Sequence, residues 1–148
     1  MHYNDVNFYS PNYPGNYPNY KDCSWLIEAP VGHYIYLSIY EFNLEGGSSC
    51  PFDFLDIYDG NSSSSPLIIR ACGYRSPWSL YSSSRFFYLR FRTDSSVIDS
   101  GFAAFCRATS QSKANTALLI YPIAVEIPQI PRPYHKTYSI VNEAIKIS

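Results

Sequence analysis

The chain lacks several features that would assign it to common classes of protein. Only 16% of its 148 residues are charged, there is a single methionine, and no apolar run reaches the ~18 residues of a membrane-spanning helix. The formal net charge is −1, which disfavours a broad nucleic-acid-binding face. The motifs Gly-x-Ser-x-Gly and His-Glu-x-x-His and a phosphate-binding glycine loop are also missing, so we do not expect an enzyme.

Aromatic residues are abundant instead: 15 Tyr, 9 Phe and 2 Trp make up 18% of the chain. They are typical of β-strands, and no helical pattern of useful length precedes residue 107. Short apolar runs separated by turn signals predict an all-β protein, an antiparallel sandwich or barrel. The first 20 residues are rich in proline and predict an extended, ordered loop. The predicted strands are Cys23 to Glu28, Tyr34 to Phe42, Phe54 to Tyr58, Leu67 to Cys72, Phe86 to Phe91 and Gly101 to Arg107.

Cysteine usage gives an indication of the compartment. The cysteines are widely spaced, form no Cys-x-x-Cys pair and lie far from the histidines in sequence, which argues against a structural zinc site. An even number of separated cysteines in a turn-rich β chain is typical of two disulfides and of an extracellular protein. Asn61 begins a triplet that matches the N-glycosylation acceptor pattern, directly after the turn signal Asp59-Gly60. The cysteines are Cys23, Cys50, Cys72 and Cys106.

The amino terminus points the other way, because it has neither the basic segment nor the apolar region of a signal peptide. One interpretation is a cytosolic protein with free thiols. The other is a fragment or incomplete gene model of a secreted protein, and this is the one we expect.

The composition changes near Arg107. Residues 1–106 hold 10 acidic and 6 basic residues, a charge of −4, whereas residues 107–148 hold 2 acidic and 5 basic, a charge of +3. We therefore expect a domain at 6–107 and a linker or tail at 108–148. The tail is interpreted as part of a following domain, one or two edge strands, a disordered segment, or sequence foreign to the native protein.

An ordered series of motifs over about residues 6 to 107 resembles the CUB domain, an extracellular β-sandwich module of roughly this length. The densest motif is Cys-Pro-Phe-Asp-Phe-Leu-Asp-Ile-Tyr-Asp-Gly at residues 50–60. The resemblance implies two antiparallel sheets packed face to face in a jelly-roll-like arrangement. The other matching motifs are Ser10-Pro11-Asn12-Tyr13-Pro14, Tyr17-Pro18, Cys23-Ser24-Trp25, Ala29-Pro30-Val31-Gly32, Phe42-Asn43-Leu44-Glu45, Cys72-Gly73, Phe91-Arg92-Thr93-Asp94 and Gly101-Phe102-Ala103-Ala104-Phe105.

The same resemblance implies a disulfide between Cys50 and Cys72. A full CUB module usually has a further cysteine ahead of the Ser-Pro-Asn-Tyr-Pro motif, paired with the residue that matches Cys23, and this chain lacks it. We expect Cys23 to pair with Cys106 instead. The alternative is that the first cysteine was lost with the amino terminus, which leaves two free thiols.

Three acidic residues match those that hold calcium in the calcium-binding subset of CUB domains: Glu45, Asp53 and Asp94. Clustered carboxylates are unfavourable unless a cation compensates their charge, and Ca²⁺ prefers oxygen ligands. The resemblance therefore implies a calcium site. The plainer interpretation is that Asp53 caps or pairs inside the sandwich and the other two are solvated loop residues.

Further residues acquire roles through the resemblance. Ser96 and Val97 match a segment that supplies backbone oxygens to the ion, and Tyr17 matches a tyrosine that supports the acidic loop. In calcium-binding CUB domains the ion orients acidic side chains that bind a basic side chain of a partner. Glu45 and Asp94 are therefore expected to pair with a partner's Lys or Arg.

The resemblance implies a secreted, non-catalytic module that binds a protein partner through a calcium-ordered acidic surface. One alternative is a fragment of a larger secreted protease, astacin-like or complement-type, in which the module positions substrate. Another is a carbohydrate-binding protein with a single CUB module. Flanking genomic sequence and a glycan array would distinguish these readings.

Overall fold

A computed structural model describes residues 5–95, 98–110 and 143–147. Within these ranges the chain forms two packed β-sheets, which confirms the all-β sandwich predicted from the sequence. No described segment is a helix long and apolar enough to cross a membrane. The strands are β1 (Val6–Tyr9), β2 (Asp22–Glu28), β3 (Tyr34–Asn43), β4 (Phe54–Tyr58), β5 (Leu67–Ala71), β6 (Trp78–Tyr81), β7 (Phe86–Arg92), β8 (Gly101–Thr109) and β9 (Glu143–Lys146).

One sheet has four strands in the order β1-β8-β3-β6, and the other has five in the order β5-β4-β7-β2-β9. All pairings are antiparallel except that of β2 with β9, which is parallel. Inward side chains alternate with outward ones: along β3, Ile35, Leu37 and Ile39 are fully buried, while the residues between them are partly exposed. The core between the sheets combines aliphatic and aromatic side chains, and the rings of Trp25 and Phe102 meet edge to face with their centroids 5.6 Å apart.

The six predicted strands are all present, with ends that differ by at most two residues. The proline-rich start contains a strand that the prediction missed, since β1 ends at Tyr9, just before Pro11. The four-residue β6 was also missed because Pro77 precedes it and serines follow it. Within the predicted extension 108–148, residues 111–142 and 148 lie outside the described part, so the division at residue 107 remains a prediction.

The cysteines pair only in part as expected. Cys50 and Cys72 form the disulfide that the resemblance implies, joining the loop before β4 to the end of β5. Cys23 and Cys106 are both free thiols, so the expected bridge between them is wrong. Cys23 lies opposite Phe91, which contacts Phe102 on the facing sheet at 5.5 Å. Because Cys106 lies four residues further along β8, it is displaced by about 13 Å, beyond the reach of a disulfide.

Candidate calcium site

Three carboxylates converge at one end of the sandwich from three separate parts of the chain. Glu45 follows β3, Asp53 immediately precedes β4, and Asp94 follows β7. One carboxylate oxygen from each lies within 4.8 Å of those of the other two. The fold thus brings together the three acidic residues that were singled out in the sequence.

A buried tyrosine organises this cluster. The Tyr17 hydroxyl donates a hydrogen bond to Oδ2 of Asp53 at 2.7 Å and accepts one from the backbone N–H of Glu45 at 3.1 Å. The backbone N–H of Asp94 donates to the other oxygen of Asp53, Oδ1, at 2.8 Å. Tyr17 and Asp53 are fully buried. Asp53 therefore connects the segments that carry Tyr17 and Asp94 to its own loop. Its position depends on the tyrosine predicted to support the site.

The proline-rich segment that carries Tyr17 is fixed by bonds to the start of β8. The N–H of Tyr17 donates to the carbonyl of Asp99 at 3.0 Å, and the N–H of Ser10 donates to the carbonyl of Phe102 at 3.0 Å. Gly101 permits this close approach, since it has a φ of 88° and an added Cβ would lie 1.9 Å from Oγ of Ser10. The fold therefore determines where the tyrosine hydroxyl lies.

The electrostatics of the cluster disfavour its ionised form. Burial raises the pKa of Glu45, and the negative charges of Asp94 and Asp53 raise it further. Burial also raises the pKa of Asp53, although its hydrogen bonds from Tyr17 and from the Asp94 backbone act in the opposite direction. The pKa of Tyr17 is likewise raised, first by burial and then by its bond to Asp53. A bound cation would reverse these effects on the carboxylates.

The donor set fits Ca²⁺. Oε1 of Glu45 is buried and has no hydrogen-bond partner, which is costly for a carboxylate oxygen. The three carboxylates come from loops and offer oxygen ligands, as calcium prefers. Ser96 and Val97, expected to add backbone oxygens, lie outside the described residues.

Three exposed aromatic residues lie on segments that bond or adjoin the cluster residues, and the sequence did not single them out. Tyr20 is 77% exposed, and its N–H donates to the carbonyl of Asp94 at 3.0 Å. Tyr74 is 74% exposed, and the N–H of the preceding residue, Gly73, donates to the carbonyl of Glu45 at 3.3 Å. Phe52 directly precedes the buried aspartate and is 43% exposed. Phe52 adjoins a site residue in sequence, which was the available signal, whereas Tyr20 and Tyr74 carried no such signal.

The predicted glycosylation position lies away from these loops along the chain. Asn61 is exposed in the turn region between β4 and β5. The N–H of Asp59 donates to the carbonyl of Pro66 at 2.8 Å and closes this loop. The exposed position of Asn61 is compatible with a glycan, and the modification remains a prediction.

The fold and the acidic cluster agree with comparisons to known proteins. The family model for the CUB domain matches residues 1–105, and the chain belongs to the CUB domain family. The CUB domain is a non-catalytic protein-interaction module.

The chain is similar to tolloid-like protein 1 of Mus musculus, 41% identical over 95 residues that cover 64% of this chain and 9% of that protein. It is similar to cubilin of Sus scrofa, 43% identical over 95 residues that cover 64% of this chain and 3% of that protein. The chain thus spans less than a tenth of the length of these relatives. Among solved structures it resembles the MASP-1 CUB2 domain bound to Ca²⁺, with a TM-score of 0.62 and 27% identity, covering 70% of this chain and 92% of that one.

Proposed function

We propose that this chain is an extracellular interaction module that binds a basic side chain of a protein partner in a calcium-dependent manner. The observation that carries the proposal is the cluster of three carboxylates within 4.8 Å, one of which has a buried oxygen without a donor. Such a cluster is unfavourable by itself and becomes favourable around a cation.

Glu45, Asp53 and Asp94 would hold the ion, with Ser96 and Val97 as the expected sources of backbone oxygens. Bound calcium supplies the positive charge that keeps all three carboxylates ionised. The similarity to the MASP-1 CUB2 domain, whose structure is bound to Ca²⁺, supports this assignment. Asp53 is fully buried, so a partner reaches only the two partly exposed acids.

The partner side of the proposal rests on Glu45 and Asp94, which would accept hydrogen bonds from a lysine ammonium or arginine guanidinium. Tyr20, Tyr74 and Phe52 are exposed on segments that bond or adjoin the cluster residues, and we expect them to contact the aliphatic stem of that side chain. Exposed aromatic residues beside a charged centre are typical of protein-binding surfaces.

The extracellular location rests on the disulfide between Cys50 and Cys72, since such bonds persist in oxidising compartments. The acceptor triplet at Asn61 is exposed, as a secreted glycoprotein requires. Mapping the glycan on protein secreted from animal cells tests this part of the proposal directly. Secretion without a glycan at Asn61 contradicts the modification alone.

A small probe tests the binding function without knowledge of the partner. The isotope-labelled chain is titrated with Nα-acetyl-lysine methylamide, and amide NMR signals are followed with calcium present or chelated. We expect shifts centred on Glu45, Asp94 and Tyr20 only when calcium is present.

The norleucine analogue, which has the same stem without the ammonium group, is the matched control and should produce no comparable shifts. The Glu45→Gln variant should bind the lysine probe more weakly while keeping the fold. Equal shifts with both probes, or lysine shifts that persist in chelator, would contradict the proposal.

A further inference from the structure

The edge of the five-stranded sheet is covered by a segment from outside the family module. β9 pairs in parallel with β2, yet its residues lie beyond the stretch 1–105 that the CUB family model matches. Between Thr109 and Glu143 lie 33 residues of chain. The edge therefore belongs to the module, whereas its occupant is a distant part of the same chain.

The occupant is held by two aliphatic side chains and one charge. Ile145 and Ile147 are buried and join the core cluster, with Ile145 opposite Ile27 of β2. Between them, Lys146 lies opposite Glu28, with Nζ 3.8 Å from its carboxylate. Alternate side chains thus enter the core while the intervening lysine pairs at the sheet surface, as in recognition of an extended peptide by strand addition.

The edge of β2 offers backbone bonds as well as side-chain contacts. The N–H of Ile147 donates to the carbonyl of Glu28 at 3.0 Å. Glu28 is buried, and its carboxylate also receives Arg85 at 2.7 Å, so it is oriented without β9. The acceptor features therefore reside in the module.

The pairing that holds the occupant is shorter than the pairing on the other side of β2. The occupant has four residues in a parallel pairing, which is less stable per residue than an antiparallel one. Docking it also closes a long connection, at a cost in chain entropy. By contrast, β2 is paired with β7 over seven residues in antiparallel register. The pairing of β2 with β7 involves no residue of β9.

We propose that the outer edge of β2 is an acceptor site for an extended peptide strand of a partner, with branched aliphatic residues at alternate positions and a lysine between them. The segment Glu143–Ile147 is its tethered occupant, and a partner strand of this chemistry displaces it. The site is separate from the acidic cluster and does not depend on calcium.

The test uses the full chain carrying Ile145→Asp and Ile147→Asp, which releases the tethered segment. The probe is a fluorescein-labelled peptide with the sequence of residues 141–148, followed by fluorescence anisotropy. We expect roughly tenfold tighter binding to the variant than to the unaltered chain, where the tethered segment competes. A peptide with both isoleucines changed to aspartate is the matched control and should not bind.

The proposal would be overturned if the labelled peptide does not bind the variant while the variant retains the β-sheet circular dichroism of the unaltered chain. A second measurement tests the proposal on the unaltered chain and does not depend on whether the variant folds. In the unaltered chain, the amide of Ile147 should exchange its hydrogen roughly 100-fold faster than the β2 amides bonded to β7. Equal rates would mean that β9 opens only with the whole sheet, and would also refute the proposal.

Discussion

Replacing Asp94 by asparagine should stabilise the calcium-free chain while removing its response to calcium. Asp94 supplies one of three carboxylate oxygens that lie within 4.8 Å of one another. Two unit charges ~4 Å apart repel by about 1 kcal/mol even in water, and Asp94→Asn relieves this repulsion. For a domain of this size the melting temperature should rise by roughly 4–8 °C in chelator.

The same substitution should abolish stabilisation by calcium. Extracellular calcium sites have dissociation constants of ~10⁻⁴–10⁻³ M, so ~10 mM calcium should stabilise the unaltered chain by roughly 1.4–2.7 kcal/mol. This corresponds to a rise of roughly 6–20 °C in melting temperature. In Asp94→Asn, the loss of one charged ligand should leave a rise close to zero.

Differential scanning calorimetry in EGTA and in calcium measures both effects. Asp99→Asn is the matched control, because Asp99 is a nearby acid outside the cluster and should leave the calcium response intact. An equal calcium response in Asp94→Asn and the unaltered chain would refute the assignment of Asp94 as a ligand. A lower melting temperature of Asp94→Asn in EGTA would refute the repulsion.

The effect of Asp94→Asn on the stability of the calcium-free chain should depend on pH. The pKa values of Glu45 and Asp53 are raised above their ordinary values of 4.5 and 3.8. A raised pKa contributes stability below the ordinary value, and this is lost as pH rises through the folded-state pKa. The advantage of Asp94→Asn over the unaltered chain in EGTA should therefore grow from about pH 4 to neutrality. An advantage that shrinks over this range would contradict the raised values.

Three further predictions concern buried groups. Tyr17→Phe removes the hydroxyl bond to buried Asp53 and should cost about 1–3 kcal/mol in urea unfolding; an unchanged midpoint would contradict its supporting role. Arg70→Ala leaves the buried carboxylate of Asp56 without its two guanidinium bonds at 2.8 Å and should cost about 1–3 kcal/mol in the same assay, whereas an unchanged free energy would refute this estimate. Burial raises the pKa of Cys106 to about 12, so iodoacetamide should label it only after unfolding; rapid native labelling by intact mass would contradict its burial.

The fold was largely predictable because its strands are amphipathic and its motifs are ordered. The strand from Tyr34 shows the period of two that the structure confirms. The strands that escaped prediction are short: β1 and β6 have four residues each, next to prolines and serines that favour loops. β9 is too short for its alternation of Ile145, Lys146 and Ile147 to predict where it pairs, and an edge strand was one of the interpretations left open for the tail.

The acidic residues could be named from motifs, but their arrangement could not. The sequence does not reveal that one tyrosine hydroxyl connects Asp53 with the backbone of Glu45. For the cysteines, the expected pairing itself was wrong. Cys106 was assigned to Cys23 because no other cysteine remained, but it lies too far along its strand to form that bond. Spacing in sequence carries no information on which end of a sandwich a residue occupies.

The pairing of the first strand with β8 has a consequence for synthesis of the chain. Val6 lies opposite Cys106, so β1 has no partner until about 100 further residues have been made. At roughly 5–20 residues per second this interval lasts about 5–20 s. During that time the core faces of Phe8 and Trp25 have no β8 to cover them, and a growing chain must be shielded from aggregation. Chains truncated before residue 101 should therefore bind chaperones, whereas the full chain should be released.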